Sequence, residues 1–514
     1  MRKITIIMTG LLVLSTIISC TNDLDTEPKV ELSLEEILAE DPNGIEGIVS
    51  RLYASFALSG PSGPDSSDIS DNAGESPFLR GIINLQDFTT DAMKNRWGDD
   101  GLDQLTTTSN WDANNKFFRY LYNRAYYTIP QCNNLINILD SNDIEGGSEA
   151  RLEARFLRSL AYFYLIDTFG KGVLVTEANL NETEPLPESS RAELFSFVES
   201  ELLEIQAAIS EDNGYGRANK FVVSMLLAKL YMNAEVYVGE NRYDEAANFI
   251  NVVINEGGYS LSTNFLENFS SDNESSNEII FPLIADALTS QSYGNTTYIV
   301  NGNLSSDTMT LSDYGAAEGW QGHRATEAWY GLFGDLSSST DDRAQLFWTE
   351  GHNYVMTDYK TWTDGYPSIK FRNTPFNSSS NTTTTFSSTD FPLYRLADAY
   401  LMYAECALRG AAGTDTNTAL TYVNAIRTRS SATAIMSTDL TLDFIIDERA
   451  RELNLEGHRR TDLIRFNRFT GSAYLWPWKG NVQNGASIPD TYKLFPIPEQ
   501  ALSSNPNLQQ NPGY

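Results

Sequence analysis

The chain has 514 residues, 41% hydrophobic and 11% aromatic, which supplies a large packed core and excludes a disordered polymer. Its 36 lysines and arginines against 68 acids leave a formal charge of −32, an acidic field that repels phosphate backbones and excludes nucleic acid as a natural ligand. Charged residues are only 20% of the chain, a balance that fits a solvated outer surface better than a salt-bridge-laced cytosolic helix bundle.

At the amino terminus Arg2 and Lys3 precede an apolar run from Ile4 to Ile18, too short to span a bilayer comfortably and built like an export signal. Ile17-Ile18-Ser19-Cys20 looks like the lipobox of bacterial lipoproteins, which makes residues 1–19 a signal peptide and Cys20 an acylated first mature residue. More than one acyl chain anchors stably, so the protein is expected on a membrane and not through it. Thr21 to Pro28 is a tether.

Helical periodicity follows at 34–38 and 45–56, ending at the Gly and Pro residues of 59–64. Residues 114–140, with Pro130 inside, and 151–169 are two long amphipathic stretches. Residues 217–238 and 243–253 form a helical hairpin, and 392–409 with 417–428 form another. Hairpins recurring with alanines at close-packing positions predict a mostly α fold of tetratricopeptide-like helix pairs, an α-α superhelix carrying long loop-rich insertions and a few short strands. The main insertion is 259–391, with a strand candidate at Glu278 to Phe281 and four of the eight tryptophans: Trp320, Trp329, Trp348 and Trp362.

Catalytic and cofactor motifs are missing. There is no Walker loop, no G-x-G-x-x-G and no H-E-x-x-H, and His323, His352 and His458 stand singly, as structural histidines do. No cofactor or metal is implied. Cys132 and Cys406 sit in apolar helical patterns and are expected to be small buried hydrophobes. Pairs such as Asp99/Asp100 and Glu448/Glu452 would suit a glycosidase, but among 68 acids coincidence accounts for them. The aromatics differ. Arg96-Trp97 beside Asp99-Asp100-Gly101, and Gly319-Trp320-Gln321-Gly322-His323-Arg324, each hold an indole in a glycine-flanked polar loop, which fits the face of a sugar, the alternative being two rings that cap the core.

Four blocks carry a resemblance. Leu152-Glu153-Ala154-Arg155-Phe156-Leu157-Arg158 through Phe169-Gly170, Phe391 to Glu405, Glu448-Arg449-Ala450-Arg451-Glu452-Leu453 with Glu456 to Arg460 and Asp462-Leu463, and Pro496 to Tyr514 are similar to the signature segments of the SusD/RagB family of outer-membrane nutrient-uptake lipoproteins. The resemblance implies an N-terminal SusD-like region over 20–258 and a C-terminal region over 259–514, packed as one globular unit. It also implies a non-catalytic, lipid-anchored cell-surface protein of the outer membrane that captures a glycan and passes it to a SusC-like TonB-dependent transporter. A surface protein binding peptides or glycoproteins, or a surface glycosidase, is the alternative. Within the blocks Asp447 and Arg451 stand at i, i+4 spacing, and Arg155, Arg395 and Arg459 are expected to tie helices and carbonyls together. By the same resemblance Arg80, Trp97 and Trp320 form a ligand platform with Asp99 and Asp100 nearby and Tyr293 or Tyr298 as a third ring. Asp99, Asp100 and Asp103 stand where starch-binding members lead one to expect an amide.

Overall fold

Residues 44–514 are described in the computed structural model, apart from 71, 99–100, 143 and 378–381. Cys20, Asp99, Asp100 and the segment 34–38 lie outside the described residues. The elements run α1 (Gly44–Ala57), α2 (Phe78–Ile82) with a π turn over Ile83–Asp87, β1 (Met93–Asn95), α3 (Leu102–Thr107), α4 (Lys116–Ser141) and α5 (Gly147–Thr168). Next come β2 (Gly172–Val173), β3 (Glu188–Ser189), α6 (Arg191–Ala208), α7 (Lys220–Met232), α8 (Ala234–Val238), α9 (Tyr243–Glu256), β4 (Ile279–Leu283), α10 (Thr296–Gly302), β5 (His323–Ala325) and α11 (Glu327–Tyr330). The chain closes through β6 (Phe391–Arg395), α12 (Leu396–Leu408), α13 (Thr416–Arg429), α14 (Leu442–Leu453), α15 (Arg459–Arg465) and α16 (Glu499–Ser504).

Helix starts are written locally. The Asn115 side chain accepts from Phe117 N at the head of α4, Ser190 and Glu193 form a reciprocal cap on α6, and Asn219 accepts from Phe221 and Val222 N on α7. Each long helix then packs on the next: α4 on α5, α5 on α6, α6 on α7, α7 on α9, α9 on α12 and α12 on α13. This is the expected helix-pair superhelix. Residues Ile48–Tyr514 form one compact unit, and the regions either side of residue 258 are joined by the pairing of β1 with β5.

Two expectations need correction. The helix expected from 392 begins at Leu396, because Phe391–Arg395 is a strand hydrogen-bonded to β4. The sequence reading passed over α6: Leu194, Phe195, Val198, Leu202 and Ile205 make its buried stripe, but Leu203, 41% exposed, lies on the outer side and blurs the period. Cys132 and Cys406 are buried and free, and burial pushes the Cys132 thiol up to about 12.

Charge sits where composition did not suggest it. Arg395, 1% exposed, reaches Glu278 and Glu452 through Nη1 at 2.8 and 2.6 Å and Glu456 through Nε at 2.7 Å. Arg343 bridges Glu448 and Glu452, both at 2.8 Å, and Arg427 and Arg451 complete Glu448. Arg451 therefore pairs with Glu448, not with Asp447, whose partner at 3.5 Å is Arg468. The expected ties of Arg155 and Arg459 are largely to carboxylates: Arg155 to Glu201 and Glu204, and Arg459 to both oxygens of Asp91, with one bond to the Ile446 carbonyl. A second cluster joins Asp398, Arg449, Asp462, Arg465 and Glu405.

These pairs make the fold acid-labile. Despite the cost of burial, neighbouring cations hold Asp398, Glu448, Glu452 and Asp462 below the usual carboxylate range, Asp462 at about 2, while burial and Lys229 push His458 down to about 3. Below about pH 6.5 for the histidine and about pH 4 for the acids, the unfolded chain binds protons that the folded chain refuses, so stability is lost as pH falls. Calorimetric melting from pH 4 to pH 2, below the range in which the raised Asp87 and Asp390 act in the opposite sense, is expected to show a falling Tm; a Tm constant across that range would contradict the cluster.

Candidate functional site

The register of one short ladder builds the site. Met93, Lys94 and Asn95 of β1 pair with Ala325, Arg324 and His323 of β5, and the ladder extends by one bond from Arg96 N to Gly322 O at 2.9 Å. Trp97 leaves the end of β1 just where Trp320 enters β5. Two indoles more than two hundred residues apart in sequence thus meet at 6.5 Å between centroids, their planes 50° apart. Both are half-buried.

Each ring is pinned from its own loop. Trp320 N, Gln321 N and Gly322 N donate to the carbonyls of Asn301, Leu304 and Gly302 at 2.7, 2.9 and 2.8 Å, which ties the loop to the end of α10. Trp320 Nε1 donates to Glu318 Oε2 at 2.9 Å, and Gln321, at φ 51°, reaches Asp307 at 2.8 Å. Trp97 N donates to Asn95 Oδ1 at 2.7 Å. Gly322 must be glycine, because a Cβ there would lie 2.5 Å from Trp97 Cζ2.

A second layer backs the indoles. Trp97 packs 5.5 Å from His323 and 6.2 Å from Tyr298, and those two rings meet edge-on at 4.5 Å. The Arg80 guanidinium lies 4.3 Å over the Tyr298 ring, and its Nη1 donates to Gly74 O at 3.0 Å. His323 is fully buried, and neither ring nitrogen has a hydrogen-bond partner among the described residues. Burial, with Arg80 and Arg324 close by, holds its pKa well below the usual value, so it packs as a neutral ring.

Trp97 and Trp320 are therefore brought together as expected, and two other expectations change. Tyr298 is 0% exposed, and its hydroxyl donates to Asn84 Oδ1 at 2.8 Å, so it is a support and offers no ring face to solvent. Arg80, 9% exposed, is committed to Tyr298 and Gly74 and lies beneath the rings. Tyr293, half-exposed, packs 4.9 Å from Phe386 and adjoins Gly74. Sequence reasoning missed His323 as the wedge, although it stands inside the Trp320 motif: a lone histidine carries no spacing signal. His352 and His458 do hydrogen-bond, to Gly365 O and Lys229.

Among the described residues no group of His, Cys, Asp and Glu is arranged to hold a metal ion, and no helix is long and apolar enough to cross a membrane. Glu448 and Glu452 are 0% exposed and saturated by arginines, so they are no acid–base pair. What remains is an open pair of indoles with a polar rim, a surface for a flat, hydroxyl-bearing face.

The SusD family profile matches residues 338–514. The chain is 32% identical to the starch-binding protein SusD of Bacteroides thetaiotaomicron, over 97% of this chain and 96% of that protein. Its fold is similar to the crystal structure of a SusD superfamily protein from Parabacteroides distasonis, with TM-score 0.72 and 20% identity over 92% of this chain and 99% of that one. It is similar also to surface glycan-binding protein A of Bacteroides thetaiotaomicron, solved with laminarihexaose, with TM-score 0.69 and 20% identity over 91% and 98% of the two chains.

Gly322→Val is expected to push the Trp97 indole off its support and shift tryptophan emission to the red. The same substitution in a Trp97→Phe background should give no such shift; equal shifts in both would show that the glycine does not seat that ring.

Proposed function

Since the chain belongs to the SusD family, we propose that it is a non-catalytic, lipid-anchored cell-surface protein of the outer membrane that captures a glycan on Trp97 and Trp320 and delivers it to a SusC-like TonB-dependent transporter. The observation that carries the binding role is the meeting of the two indoles across the β1–β5 ladder. Each ring takes apolar area of a sugar face out of water at about 25 cal/mol per Å², so one indole contributes on the order of 1 to 2 kcal/mol. Two such contacts, with rim hydrogen bonds, suit a weak affinity, in the range from about micromolar to millimolar.

Starch is the first ligand to test, because the relative at 32% identity is a starch-binding protein. The tilt of 50° between the indoles fits successive sugar rings that turn against one another and suits a flat ribbon less well. Glu318 and Asp307 add acceptors beside Trp320, already held in place by Trp320 Nε1 and Gln321. Asp99 and Asp100, outside the described residues, are proposed to extend this rim, and Tyr293 to close it.

Affinity electrophoresis against starch, arabinan, fructan, pectin and host glycans tests the reading. Trp320→Ala is expected to weaken binding roughly tenfold at nearly unchanged Tm, and Trp97→Ala to weaken it as much while also lowering Tm, because that ring packs on Tyr298 and His323. Intact binding in both variants would reject the platform, and sustained release of reducing ends would reject the non-catalytic role. For the anchor, Cys20→Ala is expected to release the protein from outer membranes in cells lacking the transporter; continued co-sedimentation would refute lipid attachment.

A further inference from the structure

We propose that the cleft between Tyr354 and Tyr366 is a second saccharide subsite, for a neutral sugar; the proposal rests on the glycan-binding reading of the Trp97–Trp320 platform. The cleft has a volume of about 410 Å³ and is lined by Tyr354, Tyr366, Phe347, Asp335, Gln345 and Thr349 among others. Tyr354 is 46% exposed, unusual for a ring that the protein has gone to some trouble to fix. Its main-chain carbonyl accepts from the hydroxyl of Tyr330, which is 0% exposed, and the Tyr330 ring lies 5.0 Å from Tyr354 and 4.5 Å from Tyr366.

Tyr354 and Tyr366 face each other at 6.1 Å with planes 80° apart, an aromatic corner in which one ring can take the face of a sugar and the other its edge. The rim is rich in acceptors. Asp335 Oδ1 is held by Ser337 N and Oγ at 3.0 and 2.9 Å, which leaves Oδ2 for a ligand, and Gln345 Nε2 donates to Leu336 O at 3.0 Å, which leaves Oε1. Carboxylate and amide oxygens take hydroxyl donors and repel anionic substituents, and no lysine or arginine lines the cleft. That chemistry selects neutral saccharides over uronic or sulfated ones.

The cleft is joined to the platform by β5. Gly322, under the Trp97 indole, accepts from Arg96 N, and three residues on Ala325 N donates to Tyr366 O at 2.8 Å. At about 3.3 Å per strand residue these two backbone positions are about 10 Å apart. Two weak subsites on one polymer add by effective concentration, so a long chain gains from the second and a short oligosaccharide does not.

The test uses the full-length protein, the polymer of the panel that the unmodified protein retains, and a short oligosaccharide of the same sugar. Tyr354→Ala is expected to weaken polymer retention roughly fivefold to tenfold, to leave oligosaccharide affinity within about twofold, and to abolish the retention that survives in Trp320→Ala. Tyr354→Phe, which keeps the ring, should retain the polymer. Thr349→Arg, at an exposed rim position, should weaken polymer retention at unchanged Tm and so covers a Tyr354→Ala that fails to fold. Unchanged polymer retention in Thr349→Arg, and in a folded Tyr354→Ala in both backgrounds, would overturn the subsite while a loss in Trp320→Ala kept the platform. An unmodified protein retained by no glycan of the panel would overturn both.

Discussion

Arg395 and the carboxylates around it are the constraint on which the rest of the architecture depends. The residue ends β6, immediately before α12, and its guanidinium holds Glu278 from the turn into β4, Glu452 from α14 and Glu456 from the loop beyond it. Burying charges costs several kcal/mol per ion, and removing one partner of such a set leaves the others uncompensated in a low dielectric. The cluster therefore tolerates only one arrangement of strand, helix and loop, with every acid matched: Glu452 also takes Arg343 and Arg429, and Glu456 takes Lys370.

From there the ordering passes to the binding surface. The loop after α14 gives the N–H groups of Leu455 and Gly457 to Asp87 at 3.0 and 3.1 Å, and Arg459 holds Asp91 through both carboxylate oxygens. Asp87 and Asp91 lie in the segment that joins α2, where Arg80 stands, to β1, after which Trp97 emerges. Lys94 of β1, buried with its pKa pushed down to about 7, is held by the carbonyls of Phe88 and Thr90. A motif with no residue near the indoles thus sets where one of them stands, because a short strand cannot hold register alone.

The platform repeats the logic in aromatic form. The His323 ring nitrogens are left without hydrogen bonds among the described residues at a cost, and burial, with Arg80 and Arg324 adding to it, keeps the ring neutral, so it can act as a flat wall behind Trp97. Rings held by rings lose little conformational freedom when a ligand arrives, which matters most where the whole affinity comes from two or three stacking contacts.

The sequence by itself determined most of the long helices and the two hairpins at 217–253 and 392–428, because 3.6-residue periodicity and Gly and Pro breaks act within a few residues, while α6, with a blurred period, escaped it. It also singled out Trp97 and Trp320 as indoles in polar, glycine-flanked loops. It could not show that Arg395, Glu278, Glu452 and Glu456 meet, since ion pairing in a core depends on where distant segments cross, and composition suggested a solvated surface instead. Nor could it separate Tyr298 from Tyr293: both stand in polar Gly/Asn/Thr settings, yet one is sealed under Arg80 and the other is half-exposed. Only the tertiary structure decided that, because Tyr298 is sealed by Arg80 over its ring and Asn84 at its hydroxyl, contacts between segments more than two hundred residues apart that no local pattern encodes.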